Sequence, residues 1–186
     1  MVAAAMKKTR VIWSIAAIVA FAYLAAMVIT GALPESHQLV KFEAAGVMSL
    51  PPEAISRVEL ARGGDTAVLT RSGDAGWNRE GKGPLSKPLA EKLSLAVPFM
   101  NTAKPVRAMA PAEYRATDPK EFGLDKPMLS IALANGATPT LSAHFGGLTP
   151  DGYSQYMSVD QREELFLMSL FVGKQWIAIA DEVFAR

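Results

Sequence analysis

Met128–Phe145 reads MLSIALANGATPTLSAHF, and its reading decides the fold. Met128 to Leu133 alternates apolar with small or polar residues, the period of a strand with one buried face. Asn135-Gly136 then accepts the positive φ angles of a tight hairpin turn. Thr140 to Phe145 returns as the partner strand. A connection this short joins antiparallel strands, because a parallel crossover needs a dozen residues or more.

The same signals recur on both sides. Downstream, Gly146-Gly147 and Pro150-Asp151-Gly152 mark turns. Tyr153 to Val159 and Leu165 to Met168 read as strands. Leu170 to Phe184 reads as a closing helix, apolar at Val172, Trp176, Ile179, Ala180 and Val183. Upstream, Phe122-Gly123-Leu124-Asp125-Lys126-Pro127 is a tight turn, with Gly123 expected in the left-handed region. Ala110 to Lys120 is polar and proline-bounded, and Lys104 to Met109 reads as a short strand. Leu85, Leu89, Leu93, Val97 and Met100 recur at helical spacing, with Ser86 placed to cap and Pro88 in the tolerant first turn. Pro98 is expected to kink or end that helix, because its ring meets the carbonyl of Ser94. Further upstream, Ile55–Leu60 and Thr66–Arg71 form a hairpin around Arg62-Gly63-Gly64-Asp65, and Trp77 opens a third strand ending near Arg79. Strands joined by short turns, with two amphipathic helices, give an α+β domain of antiparallel sheets with helices packed on one face.

An apolar run precedes this domain. Val11 to Leu33 reads VIWSIAAIVAFAYLAAMVITGAL without a charge. About 20 residues cross the hydrocarbon core as a helix. Trp13 lies near its start, and Lys7, Lys8 and Arg10 precede it. The basic flank stays in the cytoplasm and sends the rest of the chain across. Thr30 and Ala32 offer a small-x-small cleavage site, but the run is longer than the apolar core of a cleaved signal, which favours a signal-anchor. The expected organisation is a cytoplasmic N-terminus (1–10), a transmembrane helix (11–33), a tether (34–52) and an exported domain (53–186). In a bacterium this is a single-pass inner-membrane protein with a periplasmic domain. Ala16, Ala20, Ala25 and Ala26 make the helix narrow enough for another to approach.

Composition narrows the chemistry. With 19 Lys plus Arg against 18 Asp plus Glu, no basic field draws nucleic acid. With no cysteine, disulfides, thiolate metal sites and cysteine nucleophiles are excluded.

Gly76-Trp77-Asn78 after a hairpin, the Leu-spaced helix, Phe122–Pro127 feeding a strand, then Phe145-Gly146 and Tyr153 to Met157 together resemble the DUF4340 family. Its members carry a similar "W" strand, a "yGLdkP" turn and an "iG…Y" hairpin. The likeness covers roughly residues 55–180, and the GLDxP turn is its most specific element. Many relatives are longer or duplicated, so this chain resembles a compact version. The resemblance implies a membrane-anchored domain, often beside transporter components, of undefined molecular role. It transfers no active site.

The residues themselves assign no catalytic, cofactor-binding or metal-binding set. Trp77 reads as a core anchor, since one large aromatic buries about 200 Å². The two histidines are His37, in the tether, and His144, in a strand; they form no helical metal pair. No Gly-x-Ser-x-Gly elbow, P-loop or GxGxxG occurs. Glu163-Glu164 and Asp181-Glu182 are sequence neighbours that diverge in direction, so they suit solvated faces rather than acid–base work. Asp118, Glu121 and Asp125 flank the tight turn, where capping is the simplest role. Tyr153 and Tyr156 point to opposite faces of their strand. Phe166, Phe171, Trp176 and Phe184 read mainly as core.

The expected function is therefore that of a non-catalytic accessory or assembly subunit. It would be anchored through residues 11–33, with the exported domain contacting an integral membrane protein complex, and with no cofactor. The alternative is a periplasmic small-ligand or lipid-binding module associated with a transporter.

Overall fold

The computed structural model describes residues 2–29, 45–73 and 76–185. Residues Met1–Lys41 and Phe42–Arg186 form two separate units.

In the second unit, the Met128–Phe145 hairpin lies at the middle of one sheet. In chain order its strands are β1 (Arg57–Arg62), β2 (Asp65–Ser72), β3 (Gly76–Arg79), β4 (Gly83–Pro84), β5 (Arg107–Met109), β6 (Leu129–Asn135), β7 (Thr138–Leu148), β8 (Ser154–Val159) and β9 (Leu165–Ser169). Their order across the sheet is β4-β3-β2-β1-β6-β7-β8-β9-β5, with every pairing antiparallel. The α+β expectation holds, with a single continuous sheet. The central turn differs by one residue. Asn135 pairs with Thr138, which leaves Gly136 and Ala137 at the tip, Gly136 at φ 59°. A bulge between Leu133 and Ala134 absorbs the shift and leaves Ser130 opposite His144.

One face of the sheet carries the core. Val58, Leu60, Leu69, Leu129, Ile131, Leu133, Ala143, Phe145 and Met157 are fully enclosed there. α2 (Lys87–Thr102) and α4 (Leu170–Phe184) pack over them, sealing the layer with Leu93, Met100, Trp176 and Ile179. Trp77 is the core anchor expected and donates through its indole to Ser94 Oγ at 3.2 Å. Arg79 donates to the carbonyl of Val183 in the last turn of α4, where a cation meets the negative end of the helix dipole.

α2 departs from expectation at its N-terminal cap, and of the two outcomes expected at Pro98 it excludes one. Ser86 occupies the cap position without a side-chain hydrogen bond, and Pro98 does not end the helix. The last turn survives because the core holds it. Met100 is fully buried, Ala103 N–H donates to Phe99 O, and Thr102 Oγ1 donates to Pro98 O.

The tether is shorter than the sequence suggests. Val47 and Met48 are buried in the core, Gly46 N–H donates to Asn101 O, and Met48 N–H donates to Met100 O. Asn101 Nδ2 donates in return to Met48 O at 2.9 Å and Leu50 O at 3.1 Å. Pro52–Ala54 is a 3₁₀ turn. The folded part thus includes residues 45–52, so a boundary at 53 is corrected to one at or before 45. The reason is local: two apolar side chains in a segment without periodicity find a slot beside α2. The rest of the expected tether, 34–44, and its His37 lie outside the described residues.

In the first unit, α1 runs Val2–Ile29. Its described side chains are those of Trp13 and residues 15–27. Among the described residues, no helix is long and apolar enough to cross a membrane. The end of the expected span, 30–33, lies outside them.

Candidate functional site

The sheet face opposite the helices is where side chains remain available. Over β1, β2, β6 and β7 it carries Glu59, Ala61, Val68, Thr70, Ser130, Ala132, Ser142 and His144, all half-buried. Most of these side chains are short, and the pleat hides part of each. Over β8 and β9 the connection from α3 (Pro111–Tyr114) through the 3₁₀ turn Pro119–Phe122 crosses the face. The Phe122 ring lies edge-on to Tyr156 at 4.9 Å and to Tyr114 at 6.2 Å. Asp118 accepts from Lys120 N–H, as capping predicts, and Gly123 is left-handed at φ 65°. Glu121 and Asp125 are exposed. Gly123 and Gly146 let the connection approach closely: a Cβ at Gly146 would stand 2.2 Å from Phe122 O.

At the centre of the open face, one polar row links three strands. His144 is opposite Ser130 on β6 and Ser158 on β8. His144 Nδ1 is 2.8 Å from Ser130 Oγ, and Nε2 is 3.1 Å from Asp160 Oδ1. Asp160 stands just past β8, its N–H bound to Ser142 O. One neutral tautomer satisfies both contacts: the serine hydroxyl donates to Nδ1 while Nε2–H donates to the carboxylate. That is a serine–histidine–aspartate relay in connectivity. Its surroundings do not fit acyl transfer. Ser130 is laddered to Ala61 on one side and His144 on the other, so its neighbouring amides are committed and cannot cradle an oxyanion. The side chains are 31% and 59% exposed for His144 and Asp160, so water competes throughout. The row works as a cross-strand clasp on the register of β6, β7 and β8.

The other acidic groups are placed on solvated faces, as the sequence suggests. Asp181 meets Arg62, Glu182 meets Lys92, and Glu163 lies 3.5 Å from Arg115. Asp151 lies in the turn that precedes β8. The Thr149 hydroxyl first, and then Tyr153 N–H, hold its carboxyl below the usual value. Among the described residues, no three His, Cys, Asp or Glu side chains gather into a metal-binding group.

A hollow between sheet and helices, which a lipid carrier needs, is filled by Trp77, Trp176, Phe145 and Met100. Among the described residues, shallow clefts lie elsewhere. One of about 270 Å³ is polar and bordered by Ser49, Thr140, Asp160 and Arg162. One of about 240 Å³ has an apolar floor of Tyr114, Phe122, Leu124 and Leu165. One of about 320 Å³ lies beside Trp77, Pro84 and Ala90.

Sequence reasoning did not find the Ser130–His144–Asp160 row. The signal was present in the alternation of β6 and β7, which places Ser130 and His144 on the same face. Asp160 carried no local signal, because its position depends on the turn after β8.

No family model matches the chain, and no curated protein and no solved structure matches it.

Proposed function

We propose that the chain is a membrane-anchored, non-catalytic accessory subunit whose exported domain contacts an integral membrane complex. The carrying observation is α1. It is a 28-residue helix, and Trp13, Ile15, Ile18, Val19, Phe21, Tyr23 and Leu24 are exposed around its whole circumference. Over residues 15–27 the helix is apolar all round, although among the described residues it is not long and apolar enough to cross a membrane, and such a surface favours an apolar medium or partner over water. The uncharged sequence from Val11 to Leu33 is long enough to supply a crossing, and Lys7, Lys8 and Arg10 set its direction. The resemblance to DUF4340 domains implies the same membrane-anchored topology.

The domain's geometry favours contact through a face rather than an edge. The outermost strands are β4, two residues ending in proline, and β5, three residues long. Such short edges offer little backbone for strand addition. The open face and the exposed apolar side chains remain.

A second reading is a small-ligand module serving a transporter. The apolar cleft under Tyr114 and Phe122 favours it, though at about 240 Å³ it is smaller than most ligand sites.

The test is purification of the full-length chain in gentle detergent, with mass spectrometry of co-purifying chains and lipids. A stoichiometric membrane complex that survives washing supports the subunit reading. A lone chain carrying a small molecule or lipid moves the assignment to the second reading. Recovery in the soluble fraction without detergent overturns the anchor.

A further inference from the structure

At one end of the helical layer, apolar side chains face outward. Phe99 on α2 and Phe171 at the start of α4 meet edge to face at 5.3 Å. Leu95 precedes Phe99 by one helical turn, and Val106, bonded through its N–H to Leu167 O, follows α2. Leu95 is 64%, Val106 68% and Phe171 54% exposed. Each of these side chains would gain by burial against an apolar surface.

The unpaired charges nearest Phe171 and Val106 are both lysines. Lys174 lies one turn beyond Phe171, and Lys104 lies two residues before Val106; both are exposed. Neither has an ion-pair partner among the described residues, whereas Lys92, Arg62, Arg107 and Arg115 do. The acid on the same helix face is Glu91, one turn before Leu95. Aromatic and aliphatic side chains between free ammonium groups match an interface of anionic headgroups above acyl chains.

We propose that this end of the domain, Leu95, Phe99, Val106 and Phe171 with Lys104 and Lys174, docks on an anionic lipid surface. The proposal rests on the anchored reading. Residues 30–44 join α1 to the domain, and fifteen residues reach at most ~50 Å by any path. Tethering at that range converts a weak surface affinity into a populated docked state. Docking would fix which side of the domain is left for a protein partner.

The absence of cysteine makes the test clean. Full-length Leu95→Cys and Thr138→Cys proteins carry a bimane label and are reconstituted in nanodiscs containing nitroxide-headgroup lipid. With a phosphatidylglycerol fraction, the label at 95 is expected to be quenched well beyond the label at 138. In phosphatidylcholine alone, or at high salt, that difference is expected to fall. Lys104→Glu and Lys174→Glu, both exposed and checked for unchanged circular dichroism, are each expected to lower the docked-to-free ratio by about fivefold or more. Equal quenching at the two positions, or quenching indifferent to headgroup charge, salt and the lysines, overturns the docking. Protection of the 95 label in native membranes but not in nanodiscs also overturns it, in favour of a protein partner. Failure of the chain to remain with the nanodiscs, read separately by size exclusion, overturns the anchored reading and the docking with it.

Discussion

Gly173 of α4 faces the side-chain oxygen of Gln155 so closely that a Cβ built on the glycine would stand 1.9 Å from Oε1. Gln155 is fully buried on β8. Its amide nitrogen donates to Gly146 O at 2.9 Å, and Oε1 has no hydrogen-bond partner among the described residues. A polar side chain, a bare stretch of helix and a glycine-rich end of β7 therefore meet at one point. The glycine is there for approach, since α4 can lie on the sheet at this depth only without a side chain.

Gly173→Ala should accordingly destabilise the domain although alanine is the better helix former. The methyl group must displace either α4 or the Gln155 amide, and the second choice breaks the bond to Gly146. A cost of about 1–3 kcal/mol is expected, larger than the propensity gain of about 1 kcal/mol. Urea unfolding followed by Trp fluorescence measures it. A variant as stable as the parent would show that the contact yields freely.

The Ser130–His144–Asp160 row should behave as a clasp and not as a catalyst. Asp160→Asn and His144→Ala are each expected to change stability by less than about 1 kcal/mol, because the pair is exposed to screening water. A fluorophosphonate probe should leave Ser130 unlabelled in the intact protein. Stoichiometric labelling of Ser130 that disappears in His144→Ala would make the row a nucleophilic centre after all.

Asp151 gives a prediction in acid. Its carboxyl is held below the ordinary value of 3.8 by the Thr149 hydroxyl and Tyr153 N–H, so the folded state favours the ionised form. A depressed folded pKa gives stability that is fully present above the unfolded value and is lost as pH falls through the folded one. The stability difference between wild type and Asp151→Ala should be constant above about pH 5 and shrink as the pH drops below about 4. A difference that grows in acid would reverse the assignment.

Much of the fold was legible because its signals are local. Alternation gave β1 and β6, turn signals gave their hairpin partners β2 and β7, and helical spacing gave α2 and α4. Gly123 announced a left-handed turn. What could not be read was set by distant contacts. Asn135-Gly136 at the tip would have set Ser130 opposite Leu141, a polar residue against a core one. The bulge at Leu133/Ala134 restores the parity, and bulges leave no sequence mark here. Pro98 stays within α2 because Met100 and Asn101 are held from outside the helix. The His144 row was half legible, Ser130 by parity and Asp160 not at all. Leu95 falls off the stripe of Leu89, Leu93 and Val97, so its exposure follows from the helical spacing, whereas Phe171 reads as core and is exposed.

The segment 45–52 supplies the sharpest test of where the domain begins. Val47 and Met48 bury their side chains, worth about 3–6 kcal/mol together by area, and Asn101 clasps the backbone on both sides of them. A chain starting at Glu53 would lose that burial and leave Asn101 Nδ2 without acceptors inside the protein. Such a chain is expected to unfold at markedly lower urea than one starting at Ala45, and to expose α2 to protease near Thr102. Asn101→Ala in the full chain should reproduce part of this, about 1–3 kcal/mol, with faster hydrogen exchange at the Gly46 and Met48 amides and unchanged exchange in β6. The exchange pattern separates the two explanations. Loss confined to Gly46, Met48 and the end of α2 identifies a clasp on the entering chain, whereas uniform loss across the sheet would mean that Asn101 supports the core as a whole.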